Sequence, residues 1–355
     1  MAIRRFHQKS RTGCSACKTR RVKCDERKPV CNNCIRRGTP CEWPTGVAQP
    51  PSPPPSVEAG RDEASYDALD LVLMHRFATV TALEMSPAAE AKHVWQNIIP
   101  VEAHSAPLLM HGILALAGLD LARIPSPTAS TYRTRALHHQ QLGLAMFQEM
   151  LVQDTATQMH AIFPFSLMLI IITLASAQEE AMQWSVDSIV NMFALYRGPR
   201  ALAKSNWDTI RDSHLGALLS KGDAAEDPGV PEDLRTLLER LDRYCTDEVA
   251  IDAKKMIIAD IERAGPALDL RAVGHWPAMV SDPFFARLKA QEPGALAVLS
   301  YYSLVLNAFR ERWWVGNWGR MLLTAVDQAM PELEKKRLGW SADNIKSLLD
   351  VPRDI

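Results

Sequence analysis

Six cysteines lie close together near the start of the chain. They are Cys14, Cys17, Cys24, Cys31, Cys34 and Cys41, in the spacing C-x2-C-x6-C-x6-C-x2-C-x6-C, and the 355-residue chain has one more, Cys245. Disulfide frameworks are typical of small secreted domains, whereas this chain opens MAIRRFHQKS, without the apolar stretch of a signal peptide. A C-x2-C pair lets two thiolates meet on one ion, and tetrahedral all-sulfur sites select zinc. The spacing therefore favours a metal site over disulfides.

Six thiolates suit two zinc ions. Two separate tetrahedral sites need eight sulfurs, so six complete both tetrahedra only when two sulfurs are shared. All sulfur positions would then be filled, which leaves no open coordination position for catalysis. A segment this short buries too little apolar surface to fold alone, so zinc binding would supply its folding free energy.

Positive charge surrounds the cysteines. Residues 1–44 have twelve Lys and Arg residues against Asp25, Glu26 and Glu42, a net charge of +9. The whole chain has a formal charge of −1, so residues 45–355 have a net charge of −10. Two zinc ions with six thiolates would lower the charge of the head to about +7. A basic head on an acidic body predicts double-stranded DNA as the partner, with binding that weakens as salt rises.

The cysteine pattern resembles the binuclear zinc cluster of fungal transcription factors. The resemblance implies that Cys14 and Cys31 bridge the two zinc ions. One zinc would be bound by Cys14, Cys17, Cys24 and Cys31, and the other by Cys14, Cys31, Cys34 and Cys41. Asp25 after the third cysteine and Pro29 in the connecting loop, often a cis-proline in the family, also match. The implied fold is a small module of two short helices around two zinc ions.

The same resemblance implies how DNA is recognised. In the family, a short helix after the first C-x2-C pair presents its end to the major groove and reads a CGG triplet. The matching residues here are Arg20 and Arg21, and arginine can bond the O6 and N7 atoms of guanine bidentately. The predicted phosphate-binding residues are Lys18, Lys23, Arg36 and Arg37. The alternative is a solvated basic face with only non-specific affinity for DNA.

Composition divides the chain into three parts. We expect the DNA-binding module in residues 1–43, a proline-rich linker in 44–63, and an all-helical regulatory domain in 64–355. No heptad pattern precedes residue 64, so a homodimer would have to form through the body. The basic run near the N-terminus could also be a nuclear localisation signal, which predicts a nuclear protein. The apolar run 163–177 fits a buried central helix better than a membrane span.

The body shows helical periodicity and no alternating strand pattern. Helices are expected at 65–85, 105–123, 130–151, 163–177, 184–196, 232–245, 249–263, 284–292 and 295–312. Five segments also resemble the sterol uptake control proteins of fungi: LDLVLMHRF (69–77), VWQNIIP (94–100), APLLMHGILALAGLDLA (106–122), YRTRALHHQQLGLAMF (132–147) and YYSLVLNAFRERWWVGNWG (301–319). This resemblance implies a ligand-binding and activation domain. The same body also occurs in regulators of fungal specialised-metabolite gene clusters.

A tryptophan-rich segment stands out in this body. Trp313, Trp314 and Trp318 lie beside Arg310 and Arg312, and together they could wall an apolar pocket with a polar mouth. The alternative is that the three indoles are core packing residues. A sterol or another apolar molecule would be the ligand of such a pocket.

No catalytic motif is recognisable in the sequence, and we do not expect an enzyme. The sequence predicts a DNA-binding transcription factor of RNA polymerase II genes that recruits the transcription machinery. Its favoured role is positive regulation of a fungal secondary-metabolite biosynthetic gene cluster. The alternatives are a sterol-responsive regulator of sterol uptake and biosynthesis genes and, in another class, a lipid-binding receptor module.

Overall fold

The structure is a computed structural model. It describes residues 12–43, 66–86, 88–153, 157–178, 184–219, 239, 244–263 and 271–349. The chain divides into two compact units, Met1–Ser65 and Tyr66–Ile355. The predicted linker, residues 44–63, lies outside the described residues.

Two short helices form the described part of the first unit. They are α1 (Ser15–Thr19) and α2 (Asn32–Ile35), and each begins directly after a cysteine in extended conformation, Cys14 or Cys31. The two C-x2-C pairs therefore sit in equivalent places, at the first turn of a helix. The connecting loop contains a cis peptide bond between Lys28 and Pro29. The two-helix module implied by the family resemblance is confirmed.

Thiols take the place of an apolar core in this unit. Five of its six cysteines, all but Cys41, are at most 4% exposed. Within residues 12–43, the apolar groups packed against them are only Ala16, Cys41 and Trp43. So little apolar surface cannot offset the entropy lost on ordering about thirty residues. The stability of this unit must come from a metal.

The second unit is built of helices joined by turns, and its described residues contain no strand. A 3-10 turn covers Thr81–Glu84, a π turn covers Val94–Ile98 and a second 3-10 turn covers His214–Leu219. The α-helices are α3 (Ala68–Thr79), α4 (Ala89–His93), α5 (Ile99–Glu102), α6 (Pro107–Ala122), α7 (Ala129–Val152), α8 (Met159–Ala177), α9 (Val186–Ser205), α10 (Trp207–Arg211), α11 (Glu248–Arg263), α12 (Arg271–Met279), α13 (Asp282–Lys289), α14 (Pro293–Ala308), α15 (Trp318–Ala329), α16 (Glu332–Leu338) and α17 (Ala342–Leu349).

Most of the helices predicted from periodicity are present. The expected helix 295–312 is shorter than predicted, because α14 ends at Ala308 and a series of turns leads to Trp318. The expected helix 232–245 lies almost entirely outside the described residues. The all-helical fold predicted for the body is confirmed.

Local sequence explains where several of these helices begin. Asp67 accepts hydrogen bonds from the amides of Leu69 and Asp70, and the Asp70 side chain accepts one from the amide of Asp67, a reciprocal capping box. Ser185 and Ser281 cap α9 and α13 with a single bond each, which the hydroxyl accepts from the amide three residues ahead.

Helix α6 is the centre of the body. It is apolar on all sides and buried at most positions, where it packs against α3, α7 and α8. Gly118 allows α7 to come close, because a Cβ atom there would lie 2.8 Å from the Cβ of Ala136 and 3.0 Å from the Tyr132 carbonyl oxygen. A buried helix of this kind must be packed by its neighbours on every side.

Helix α8 is long and apolar enough to cross a membrane by length and composition alone. In its most apolar window, 72% of the residues are buried inside the body. Burial of this extent is what the core helix of a helical domain shows. The helix contains Pro164 near its start, and its neighbours include α6 and α9.

Candidate metal centre and nucleic-acid interface

The six cysteines of the first unit form two overlapping groups. Within each group the Sγ atoms lie within 4.8 Å of one another: Cys14, Cys17, Cys24 and Cys31 in one, and Cys14, Cys31, Cys34 and Cys41 in the other. Neighbouring sulfurs are 3.6 Å apart for Cys17–Cys31 and 3.7 Å apart for Cys14–Cys31. A tetrahedral zinc with Zn–S bonds of about 2.3 Å has sulfur–sulfur edges of about 3.8 Å. The sulfurs therefore fit two zinc ions, and Cys14 and Cys31 are the two ligands common to both groups.

The surroundings of the sulfurs favour metal binding. Burial raises the pKa of the Cys17 thiol, and its contacts with Cys14 and Cys31 raise that pKa further. Crowded thiols of this kind would not ionise together without positive charge between them, and two zinc ions supply that charge. Backbone amides also point at the sulfurs: Cys31 N donates to Cys41 Sγ at 3.3 Å and Glu26 N donates to Cys24 Sγ at 3.4 Å.

Three polar contacts hold the loop between the two helices. The Asp25 carboxylate accepts a hydrogen bond from Asn32 N at 3.1 Å, at the start of α2. The Asn33 amide donates to the Lys23 carbonyl oxygen at 2.7 Å, and Trp43 Nε1 donates to the Pro29 carbonyl oxygen at 2.7 Å. The sequence pattern singled out Asp25 but not Asn33 or Trp43. Asn33 and Trp43 each donate to a backbone carbonyl oxygen, so these two contacts could not be predicted from the spacing of residue types.

The basic residues of the module lie mostly on its surface. Lys18, Arg21 and Lys23 are exposed around the end of α1, and Arg36 and Arg37 are exposed after α2. Arg21 has φ of +56°, in the left-handed region, and thereby ends α1 and turns the chain toward Cys24. This exposure leaves the five side chains accessible to an anion such as the DNA backbone. Their individual roles stay predictions.

Arg20 differs from its neighbour. Its guanidinium is half-buried and donates to three groups of the module: Nε to the Ala16 carbonyl oxygen at 3.0 Å, Nη2 to Thr39 Oγ1 at 3.0 Å, and Nη2 to Cys34 Sγ at 3.6 Å. It therefore links α1 to the segment after α2 and to a sulfur ligand. The sequence placed Arg20 and Arg21 in one role, and the structure gives them different surroundings.

The three tryptophans of the segment 310–318 lie in three different environments. Trp318 is fully buried, donates from Nε1 to the Leu174 carbonyl oxygen at 2.9 Å, and packs against Trp184. Trp313 is half-buried under Arg123, whose Cζ lies 5.8 Å from the ring centroid. Trp314 is buried and lines a cavity in the body. A single pocket wall of three indoles is therefore not formed.

The turn at Gly316 explains why the tryptophans lie in different environments. Its φ is +44°, and a Cβ atom there would lie 2.0 Å from Gln178 Oε1. Gln178 also donates from Nε2 to the Trp313 carbonyl oxygen at 3.2 Å. The tight turn at Gly316 separates Trp314 from Trp318 and directs them to different parts of the body.

A buried chain of three polar residues lies among the helices of the body, and the sequence analysis did not predict it. Asp70 Oδ1 lies 2.9 Å from His139 Nε2, and His139 Nδ1 lies 2.9 Å from His111 Nδ1. Because the carboxylate only accepts, His139 donates to it and, when neutral, accepts from His111. These residues come from α3, α7 and α6, so the chain joins three helices.

Comparison with known proteins gives matches to both units. Residues 12–47 match the fungal Zn(2)-Cys(6) binuclear cluster domain, and residues 72–213 match the fungal specific transcription factor domain. The Zn(2)-C6 fungal-type transcription factor afumD of Aspergillus fumigatus is 27% identical to this chain, over 82% of this chain and 83% of its own length. A Zn(2)-C6 fungal-type transcription factor of Gibberella zeae is 24% identical, over 89% of this chain and 81% of its own length.

The match to a sterol regulator is much shorter. Sterol uptake control protein 2 of Candida albicans is 63% identical to this chain over 40 residues, which are 11% of this chain and 6% of that protein. These residues are those of the N-terminal cluster. The similarity of the body to sterol uptake control proteins, expected from five short segments, does not receive support from this match.

Proposed function

The chain belongs to the fungal Zn(2)-Cys(6) transcription factor family, and on that premise we propose that it binds CGG-type DNA elements and regulates transcription from them. The observation that carries this proposal is the exposed basic surface beside a six-sulfur, two-zinc site. Zinc would be held by the six cysteines and would fix the fold of the module. No reaction is assigned to the protein.

We assign base reading mainly to Arg21. Its exposed side chain projects from the end of α1 and can donate bidentately to guanine. We also place Arg20 in the DNA interface. Its contacts with Ala16, Thr39 and Cys34 make it in addition a positioning residue for α1. Lys18, Lys23, Arg36 and Arg37 would bind phosphates and set the register of the module on DNA.

The experiment that tests this proposal measures binding of the full chain to a duplex with a CGG triplet and to a duplex with that triplet scrambled. Specific binding should be zinc-dependent and stronger on the CGG duplex, and both affinities should fall as salt rises. Equal affinity for the two duplexes at every salt concentration would contradict base reading and leave a non-specific basic surface.

We further propose a nuclear location and, as the target set, the genes of one fungal secondary-metabolite cluster, where the protein acts as a positive regulator. The support is that the relatives matched along most of their length are named transcription factors, while the named sterol regulator matches only the cluster. Chromatin occupancy of the tagged protein, with transcript levels after its deletion, separates the alternatives. Occupancy at one contiguous block of biosynthetic genes supports this proposal, whereas occupancy at dispersed sterol genes supports the sterol alternative.

A further inference from the structure

A cavity of about 310 Å³ opens in the helical body between α8, α9 and α12. Its volume is at the lower end of the range of about 300–1,000 Å³ that ligand pockets occupy, so it suits a compact molecule. The lining is mainly apolar, and its large side chains are Met85, Trp95, Phe163, Tyr196, Met279 and Trp314. Only Trp314 of the tryptophan-rich segment takes part.

Trp314 brings a hydrogen-bond donor that is not used. Its side chain is 4% exposed, and its Nε1 atom is buried with no acceptor among the described residues. Buried indole N–H groups usually have a partner, because an unpaired buried donor is costly. Since Nε1 is closed off, Trp314 contributes the apolar surface of its ring to the cavity.

Arg200 places a positive charge at the same cavity. It lies on α9, is exposed, and donates from Nη1 to the Ala278 carbonyl oxygen at 2.9 Å. Within the part of the chain that the structure describes, no carboxylate forms an ion pair with Arg200. Arg197, less than one turn earlier on α9, is by contrast paired with Asp282. His275 also lines the cavity, but it is paired with Asp260 at 2.9 Å. Among the described lining residues, the guanidinium of Arg200 is thus the cation without a carboxylate partner.

We propose that this cavity binds a compact, apolar carboxylic acid. The hydrocarbon part packs against the apolar lining, including the Trp314 ring, and the carboxylate faces Arg200. A neutral polycyclic ligand would leave Arg200 without a role. The site lies within the helical body and goes beyond the proposed DNA-binding function.

The test uses the full-length zinc-loaded protein without DNA, titrated calorimetrically with decanoate and with its neutral ester methyl decanoate. Decanoate should bind at one saturable site and at least 10-fold more tightly than the ester. Arg200→Gln should remove this preference, whereas Lys204→Gln, on the same helix but outside the lining, should leave it unchanged. Trp314→Phe should weaken both probes about 5-fold, and Trp313→Phe should weaken neither.

Ala203→Phe fills part of the cavity and should abolish binding of both probes. The proposal would be overturned by no saturable binding of decanoate, by equal affinities for acid and ester, or by undiminished decanoate binding by the Ala203→Phe protein. Tighter binding of cholesterol than of decanoate, unaffected by Arg200→Gln, would also overturn it. Since DNA is absent, none of these results bears on CGG recognition, and failure of CGG recognition would leave this site untouched.

Discussion

The two units of this chain are stabilised by different interactions. In the first unit the buried side chains are thiols, and the apolar groups around them are few. In the second unit the largest fully buried side chains include Trp276, Trp318, Tyr301 and Tyr302, in a core that runs through most of the helices. A small module cannot bury enough apolar surface to fold alone, whereas a domain of nearly 300 residues can. Metal ligation is therefore indispensable in one unit and unnecessary in the other.

Charge is also used differently in the two units. The basic side chains of the module point mostly to solvent, where they remain accessible to a polyanion. In the body, charged groups join helices: Asp120 is fully buried and pairs with Arg76 at 2.7 Å and Arg123 at 2.8 Å, while Thr81 donates to the same carboxylate. The first arrangement serves recognition and the second serves packing.

Removal of zinc gives the largest expected effect, and this effect should be confined to the first unit. Chelation should unfold the module and abolish DNA binding, since zinc contributes about 10–16 kcal/mol in comparable zinc-finger peptides. The helical circular dichroism of the body and its melting temperature should stay unchanged. A Cys17→Ser protein should behave like the chelated one, and Cys245→Ser, outside the cluster, is the matched control. Loss of the body's cooperative melting on chelation would contradict the independence of the two units.

Truncation of a buried tryptophan tests how far the apolar core stabilises the body. Trp318→Ala removes a fully buried side chain and its bond to the Leu174 carbonyl oxygen, so the free energy of unfolding should fall by about 3–5 kcal/mol. Leu333→Ala on α16, where the side chain is 76% exposed, should change it by less than about 0.5 kcal/mol. Urea denaturation of the full chain measures both. Zinc content should be the same in the two variants.

The buried histidines make the body sensitive to acid. Burial, followed by the neighbouring charges of His139 and His138, lowers the pKa of His111 to about 4. An unfolded histidine has a pKa of about 6.5, so below that pH the unfolded chain binds a proton that the folded chain does not. Stability should therefore be complete above pH 6.5 and fall by about 3 kcal/mol as the pH drops to 4.

Urea denaturation between pH 7 and 4 measures this dependence, with His111→Gln as the comparison. Because the variant lacks the group whose pKa differs between the folded and unfolded states, its stability should depend less on pH in this range. An identical slope in both proteins would show that His111 does not cause the loss.

Arg21→Ala should have a smaller effect, which is confined to the affinity for DNA. Affinity for a CGG duplex should fall by about 1–3 kcal/mol, with little change on scrambled DNA, since the lost bonds are to a base. Arg20→Ala should also destabilise the module, because three contacts within it are lost. The rate of zinc release to a chelator separates the two variants. Faster release from Arg21→Ala than from Arg20→Ala would reverse their assigned roles.

The metal site was predictable in full from the sequence. Six cysteines within 28 residues lie close enough in sequence to meet around a metal, and thiolate chemistry selects the ion. The grouping around Cys14 and Cys31 was implied by the family resemblance, and the sulfur positions agree with it. The separation of Arg20 from Arg21 was not predictable. It depends on where Thr39 and Cys34 lie relative to α1, which is a property of the folded loop.

The body shows the same division on a larger scale. Its helices could be read from local periodicity and capping residues such as Asp67, because a helix is built from neighbours in sequence. Its cavity could not, since the lining joins residues as distant as Met85 and Trp314. Three tryptophans within six residues suggested one pocket wall, but the turn at Gly316 sends Trp314 to the cavity and Trp318 to the core. Spacing decides which groups are available, and only the packing of distant helices decides which of them share a site.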